Sequence, residues 1–144
     1  MRRLAAPSGF ERIAQGHGVD GRQTVVLKCV DDDRLGGAAP AAAAITIAAV
    51  RDDADYVKTA IEIGGDAKAI TSIYDGTALI AAAHLGHHRV IDVLIKAGAP
   101  LNHVNNLGWT ALIEAVVLGD GGPRHTACVE LLVAAGSNPN LADR

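Results

Sequence analysis

The chain has 144 residues, which is the length of a single domain and is enough to bury a core of its own. Apolar residues make up 49% of the chain but aromatic residues only 3%, so the composition favours a thin core of small side chains. The formal charge is −3 and the 13 Lys and Arg residues are scattered, which argues against nucleic acid and anionic membranes as partners.

The cysteines and the apolar runs bear on the compartment. Cys29 and Cys128 lack the spacing of a zinc site or a disulfide framework, and a reducing compartment fits them. The longest uncharged run, Leu35–Val50, is shorter than the roughly 18 to 20 residues that span a bilayer, and no secretory apolar stretch opens the chain. We therefore expect a soluble, cytoplasmic protein without a cofactor.

Residues 1–40 form a segment without a clear pattern. Gln23–Val30 has the β-branched content of a strand or a buried helix, and Asp31–Pro40 has the composition of a charged turn and linker. The segment is either a degenerate capping repeat or a disordered leader. Gly16–Gly21 matches the GxGxxG dinucleotide pattern, but a strand-like stretch follows it where a helix is needed, so the match is interpreted as chance.

An internal repeat occupies the rest of the chain. The letters TALI begin at Thr77 and again at Thr110, 33 residues later, and a more diverged copy starts near Ala42. A fixed period of this length is the signature of a solenoid. The repeats cover about 42–74, 75–107 and 108–144 of a domain at 41–144, and the last contains a five-residue insertion, Asp120–Arg124.

Each repeat has the pattern of two short helices. Thr77 is a suitable helix cap, and a stripe of apolar residues follows it until Gly86 ends the first helix. A second amphipathic helix is predicted from about His88 to Ala97, with Gly98 as its C-terminal cap. Helices this short are marginal alone, so they must stack on their neighbours.

These motifs resemble the ankyrin repeat family: Thr-Ala-Leu, Ala-Ala, Leu-Gly-His, a Val-Ile-Asp-Val-Leu-Ile helix, Ala-Gly-Ala and then Asn102. The resemblance covers roughly the last hundred residues and is strongest over 75–140. It implies an all-α solenoid of helix–turn–helix units with short hairpin fingers, which acts as a non-catalytic scaffold for protein–protein interaction. Regulatory or substrate docking within a longer enzyme is the alternative, and a metal- or redox-sensing module is a third.

The sequence departs from the family at two places. Ala78 and Ala111 replace a frequent proline, and Ile80 and Ile113 replace a frequent histidine, so the hydrogen bonds of that histidine to the fingers are not expected. The resemblance places the insertion between the two helices of the last repeat, at the end opposite the fingers. There it is either a tolerated loop or a second contact element.

The resemblance also implies a contact surface for a partner protein. Ile73–Gly76 and Asn105–Trp109 become finger tips, and the first helices form the concave face. Tyr74 and Trp109 belong to the residue types that dominate interface hot spots, although Trp109 can instead pack on the neighbouring finger for stability. The predicted contact residues are Val50, Arg51, Ile73, Tyr74, His84, Leu85, Asn106, Leu107, Trp109, Val117 and Leu118.

Other candidate sites have simpler explanations. Gly86 interrupts the helix between His84 and His88, so these histidines and His87 do not share the face that a metal needs. Cys128 lies near His125 and Asp120, as a thiolate, base and orienting carboxylate would, but it matches the core position of Val90 in the repeat and is expected to be buried. The acidic clusters Asp31–Asp33 and Asp52, Asp53 and Asp55 are interpreted as helix caps and solvated surface.

The last repeat is predicted to leave an apolar face open. No recognisable repeat follows to cover the helix around Val129, Leu132 and Val133. Either the array continues beyond this sequence, or the face pairs with another protein, in which case self-association is one form of that pairing.

Overall fold

The computed structural model describes residues 10–17, 23–29 and 39–141. Strands β1 (Phe10–His17) and β2 (Gln23–Cys29) pair in an antiparallel two-stranded sheet, and β2 lies beside the first two helices. A strand thus forms at Gln23–Cys29, one of the two structures expected there. The functional role of residues 1–40 stays a prediction.

Six helices follow within the described residues, in three pairs, with one pair in each repeat. The first helices of neighbouring repeats pack on each other and form one layer, and the second helices form a second layer behind them. The all-α solenoid expected for the repeats is confirmed. The helices are α1 (Ala39–Val50), α2 (Ala54–Glu62), α3 (Ala78–Leu85), α4 (His88–Lys96), α5 (Ala111–Val117) and α6 (Pro123–Ala134).

Side-chain caps begin three of these helices. The Thr77 hydroxyl accepts a hydrogen bond from the Ile80 amide at 3.4 Å, and Thr110 caps α5 in the same way at 3.3 Å. The Asp53 carboxylate accepts from the Tyr56 amide at 2.9 Å at the start of α2, as expected for a capping residue. Each cap satisfies an amide that has no partner inside its helix.

Left-handed glycines follow the second helix of each repeat. After α4, Gly98 has a φ of +80° and the next amide, Ala99, donates to the Leu94 carbonyl at 3.0 Å. Gly64 and Gly136 repeat this geometry after α2 and α6. The glycine is needed because other L-residues rarely adopt a positive φ, and it turns the chain toward the next finger.

The core lies between the two helical layers and is built mainly from small and branched aliphatic residues. Ala82 and Ala83 are fully buried and allow α3 to approach α1 and α5 closely. The largest fully buried apolar side chains are Ile45, Val57, Leu79, Val90, Ile91, Leu94, Cys128 and Leu132. The thin core expected from the composition is therefore what the repeats contain.

The insertion is only partly a loop. Asp120–Gly122 form the turn, whereas Pro123 occupies the first turn of α6 and Arg124 follows it, which makes α6 12 residues long against 9 in α4. Proline fits the first turn because the amide it lacks has no helical partner there. The insertion also contacts the first repeat, since Arg124 Nη2 lies 3.1 Å from Asp52 Oδ2.

Within the part of the chain that the structure describes, no helix is both long and apolar enough to cross a membrane.

Candidate interaction surface

The first finger, residues 70–77, is a hairpin held by one serine. Its two arms pair between Ile70 and Thr77, and the Thr71 amide donates to the Gly76 carbonyl at 3.0 Å. The Ser72 hydroxyl accepts from the amides of Tyr74 at 3.2 Å and Gly76 at 2.9 Å. These bonds fix the backbone on which Tyr74 is presented.

The second finger, residues 103–110, uses an asparagine at the position equivalent to Ser72. Asn105 Oδ1 accepts from the amides of Leu107 and Trp109, both at 3.0 Å. Gly108 has a φ of +83°, and its equivalent in the first finger, Asp75, has a φ of +55°. Both fingers are thus ordered by a side chain of their own turn.

Hydrogen bonds join the two fingers side by side. The Asn106 amide donates to the Tyr74 carbonyl at 2.9 Å, and Asn106 Nδ2 donates to the Ile73 carbonyl at 3.2 Å. His103 Nε2 donates to the Asp75 carbonyl at 2.6 Å. The fingers are therefore linked by residues of their own, although isoleucines stand where the family often has a histidine.

A groove lies between the fingers and the first helices, with a volume of about 530 Å³. We call it the concave groove. Its walls are mainly apolar, and Ile80 and Ala81 of α3 lie among the lining residues. Seven of the predicted contact residues line it: Val50, Tyr74, His84, Leu85, Leu107, Trp109 and Leu118.

Four predicted contact residues lie outside the lining of the concave groove. Ile73 is at the tip of the first finger and is 87% exposed, while Asn106 is committed to joining the fingers. Arg51 is exposed in the turn after α1. Val117 is not among the residues that line the groove and lies toward the outer side of the last repeat, because it is offset from Leu118 by about 100° around α5. Its part in binding stays a prediction.

Glu114, which no motif in the sequence singled out, is 4% exposed beside the concave groove. Its Oε2 lies 3.0 Å from His84 Nδ1, and its Oε1 accepts from Asn105 Nδ2 at 3.2 Å. The carboxylate thus connects α5 with α3 and with the second finger. The available signal was an acidic residue at the position where the second repeat has Ala81, inside an otherwise apolar helix.

A second apolar surface, which we call the end face, covers the outer side of the last repeat. A depression in this surface has a volume of about 480 Å³, and it is lined by Val116, Val117, Val129 and Val133. The prediction that Leu132 is exposed there is wrong: Leu132 is fully buried, because it points between the two layers, as Leu94 does one repeat earlier.

The three neighbouring histidines have separate environments. His84 contacts Glu114, and His87 Nδ1 donates to the Ala49 carbonyl of the first repeat at 2.8 Å. His88 Nδ1 is buried without a hydrogen-bond partner. Gly86, with a φ of +74°, breaks the helix between them. Among the residues that the structure describes, no group of three or more His, Cys, Asp or Glu side chains is placed to hold a metal ion.

Cys128 is a core residue, as its position in the repeat predicts. It is fully buried, and desolvation raises the pKa of its thiol to about 11. Asp120 and His125 contact each other at 3.4 Å at the start of α6. The Gly122 amide, with a smaller contribution from His125, lowers the pKa of the Asp120 carboxyl. A thiol in this setting is protonated and inert at neutral pH.

The remaining sequence motifs lie near the edge of the described residues. Strand β1 includes Gly16 of the dinucleotide-like pattern, but β2 follows it, so the helix that would carry a phosphate site is missing within the described residues. Residues 18–21 of this pattern and Asp31–Asp33 lie outside the described residues.

Comparison with known proteins identifies the repeats. A family model described as ankyrin repeats in three copies matches residues 45–143. The crystal structure of an ankyrin repeat domain from Acinetobacter baumannii AYE is 46% identical, with a TM-score of 0.66, and the match covers 69% of this chain and 50% of that one.

Two further relatives match this chain over part of its length and over part of their own. The putative ankyrin repeat protein YahD of Escherichia coli K12 is 32% identical over 99 residues, which are 68% of this chain and 49% of YahD. Human mitochondrial disaggregase is 38% identical over 66 residues, which are 46% of this chain and 9% of that protein. This chain spans about half the length of YahD and less of the disaggregase. On the strength of its three matched repeats, the chain belongs to the ankyrin repeat family.

Proposed function

We propose that this protein is a non-catalytic scaffold that binds another protein through its finger tips and its concave groove. Ankyrin repeats are in general modules of protein–protein interaction. The observation that carries the proposal is the concentration of exposed large apolar side chains in one groove: Tyr74, Leu107 and Leu118 are all exposed there. Clustered exposed apolar residues mark interaction sites, whereas isolated ones do not.

The mechanism is presentation of a surface that is ordered before the partner arrives. Ser72 and Asn105 hold the turns that carry Tyr74 and Trp109, so little backbone freedom remains to be lost on binding. Less ordering cost leaves more of the contact energy as affinity. The proposal assigns no turnover to the protein. It includes a reducing, cytoplasmic setting, which the free thiol of Cys128 supports.

A crosslinking pull-down from native lysate tests the proposal with wild type and a Tyr74→Ala, Trp109→Ala double variant, after circular dichroism shows that both fold. We expect the double variant to lose a partner that wild type captures. Ile63→Ala is the matched control, because it removes a similarly exposed apolar side chain at the end of α2, outside the groove. Retention of the same partner by the double variant rejects the groove as the contact site.

Docking within a longer enzyme is the second candidate function. It is favoured by the match to human mitochondrial disaggregase, in which the similar segment is a small fraction of the protein. The full sequence of the native polypeptide separates the two candidates. A catalytic domain beside the repeats favours the docking candidate, whereas further ankyrin repeats, or a mass equal to the 14.8 kDa of this chain, favour the scaffold.

Self-association through the end face is the remaining proposal about partners. The residues that line this face are uncharged, so pairing of two copies brings no like charges together. Sedimentation velocity on wild type and Val116→Asp tests it. A dimer that the variant abolishes supports self-association, and a monomeric wild type across the concentration range rejects it.

A further inference from the structure

We propose that the concave groove selects partner segments that place a lysine or arginine beside an apolar anchor, and that this cation binds at His84. The inference rests on the proposed function, because it assumes that the groove binds a protein segment. It specifies the charge of the partner segment and the residues of the groove that recognise this charge.

The hydrogen-bond roles at His84 follow from its partner. Glu114 is a carboxylate, which can only accept hydrogen bonds, so His84 Nδ1 must carry the proton in the 3.0 Å contact. Asn105 Nδ2 donates to the other carboxylate oxygen and holds Glu114 in place. The buried carboxylate therefore fixes one tautomer of the imidazole.

The other nitrogen of His84 is then an acceptor. In the neutral ring, a proton on Nδ1 leaves a lone pair on Nε2. The His84 side chain is 53% exposed and lines the groove, and no hydrogen bond to Nε2 occurs within the described residues. An ammonium or guanidinium group of a partner can donate to this nitrogen. The carboxylate behind the ring polarises the imidazole and strengthens that bond.

The charges of the groove favour the same choice. Among the described residues that line it, none is Lys or Arg, and Glu114 is the one acid. Arg51 lies in the turn after α1, outside the lining. Apolar walls lower the local dielectric constant, so the field of the carboxylate is weakly screened within the groove. Cations are attracted and acidic or phosphorylated segments are repelled.

The aromatic residues of the groove add a second attraction for a cation. Tyr74 and Trp109 line the same groove as His84. The faces of tyrosine and tryptophan rings attract ammonium and guanidinium groups. The same rings pack well against an apolar side chain, so one short segment can satisfy both halves of the site.

The test uses a phage-displayed library of random peptides of about 12 residues, selected on wild type at about pH 8, above the ordinary pKa of a free histidine side chain. The best binder is then synthesised with its basic residue intact, changed to glutamine, and changed to glutamate. We expect the glutamine peptide to bind at least about tenfold more weakly, in line with the strength of hydrogen bonds to charged groups. The glutamate peptide should bind more weakly still.

Glu114→Gln identifies the source of the preference. In this variant we expect the basic and glutamine peptides to differ by less than about twofold, because the charge behind His84 is gone. Glu130→Gln is the matched control: it removes the same charge from an exposed position on α6 and should keep the full difference. If Glu114→Gln does not fold, His84→Ala is measured in its place and should show the same loss of the preference for the basic peptide.

The outcomes separate this inference from the proposed function. Selected peptides that depend on Trp109 but show no preference for a basic residue overturn the inference and leave the scaffold function standing. A preference that persists in Glu114→Gln also overturns it. Absence of selected peptides, or binding that ignores the Tyr74→Ala, Trp109→Ala change, overturns the proposed groove function and the inference with it.

Discussion

The second and third repeats share one sequence template but differ in what it buries. Ala83 of α3 is fully buried, whereas its equivalent in α5, Val116, is 60% exposed. Leu94 and its equivalent Leu132 are both fully buried. Positions that point between the two layers are therefore buried by their own repeat, and positions that point along the array depend on a following repeat. The same template position is core in one repeat and surface in the next.

The largest expected effect comes from placing a charge at the position that differs most. Ala83→Asp buries an unpaired carboxylate in the helical core, and we expect it to cost more than about 4 kcal/mol of stability or to prevent folding. Val116→Asp should change stability by less than about 0.5 kcal/mol, because its side chain is in solvent. Urea unfolding followed by circular dichroism measures both. Similar losses in the two variants would contradict the comparison.

A smaller contrast is expected at the shared buried leucine. Leu94→Ala should cost about 3 to 5 kcal/mol, because α4 is packed between α2 and α6 and cannot collapse into the cavity. Leu132→Ala should cost about 2 to 3 kcal/mol, because α6 has a neighbour on one side and can relax. Leu107→Ala, at an exposed finger position, is the control in the same urea titration. A larger loss at Leu132 would mean that the terminal repeat is the more rigid one.

The local rules of the sequence predict the helices well because each signal acts over a few residues. Thr77 and Thr110 cap the starts of α3 and α5, and Gly86 and Gly98 follow the ends of α3 and α4, where the spacing places them. The contact surface is predicted less completely. The resemblance places the end of α5 at the contact surface, but it does not say on which side of the helix each residue lies. Leu118 lines the groove and Val117 does not.

Glu114 could not be predicted from spacing, because its partners come from other elements. His84 is 30 residues away on α3, and Asn105 belongs to the second finger. A buried acid in a helix signals a partner but does not name it. The contacts of the insertion are of the same kind, since Arg124 meets Asp52 only because the repeats stack.

A third contrast is between two left-handed glycines, of which one lies against a side chain of the next repeat. Gly86 and Gly98 have φ values of +74° and +80°, but a Cβ at Gly86 would lie 2.9 Å from His125 Cε1, whereas at Gly98 the nearest atom is 3.9 Å away. Gly98→Ala should cost about 1 to 2 kcal/mol for the backbone conformation alone. Gly86→Ala should cost measurably more, because the His125 ring must also move.

A double-mutant cycle checks the cause of that extra cost. His125→Ala removes the ring, so the Gly86→Ala change in its background should cost no more than Gly98→Ala does in wild type. Thermal or urea unfolding of the four proteins gives the coupling. An extra cost that survives without His125 would mean that the His125 ring is not what crowds this turn.

The smallest effect is expected at a position where the second and third repeats both bury a small apolar side chain. Val90 and Cys128 are equivalent and both fully buried, so Cys128→Val should change stability at neutral pH by less than about 1 kcal/mol. A loss of several kcal/mol in urea unfolding at neutral pH would mean that the third repeat packs differently from the second at this position.

The same substitution isolates a pH dependence. Burial raises the pKa of the Cys128 thiol from 9.0 to about 11, so as the pH rises the unfolded chain loses this proton first. The contribution of the thiol to stability is complete below about pH 9 and is lost as the pH rises toward 11. Stability of wild type relative to Cys128→Val should therefore fall across this window. A difference in stability that stays constant between pH 8 and 11 would contradict the prediction, because it would show that burial in the third repeat does not raise the pKa of the thiol.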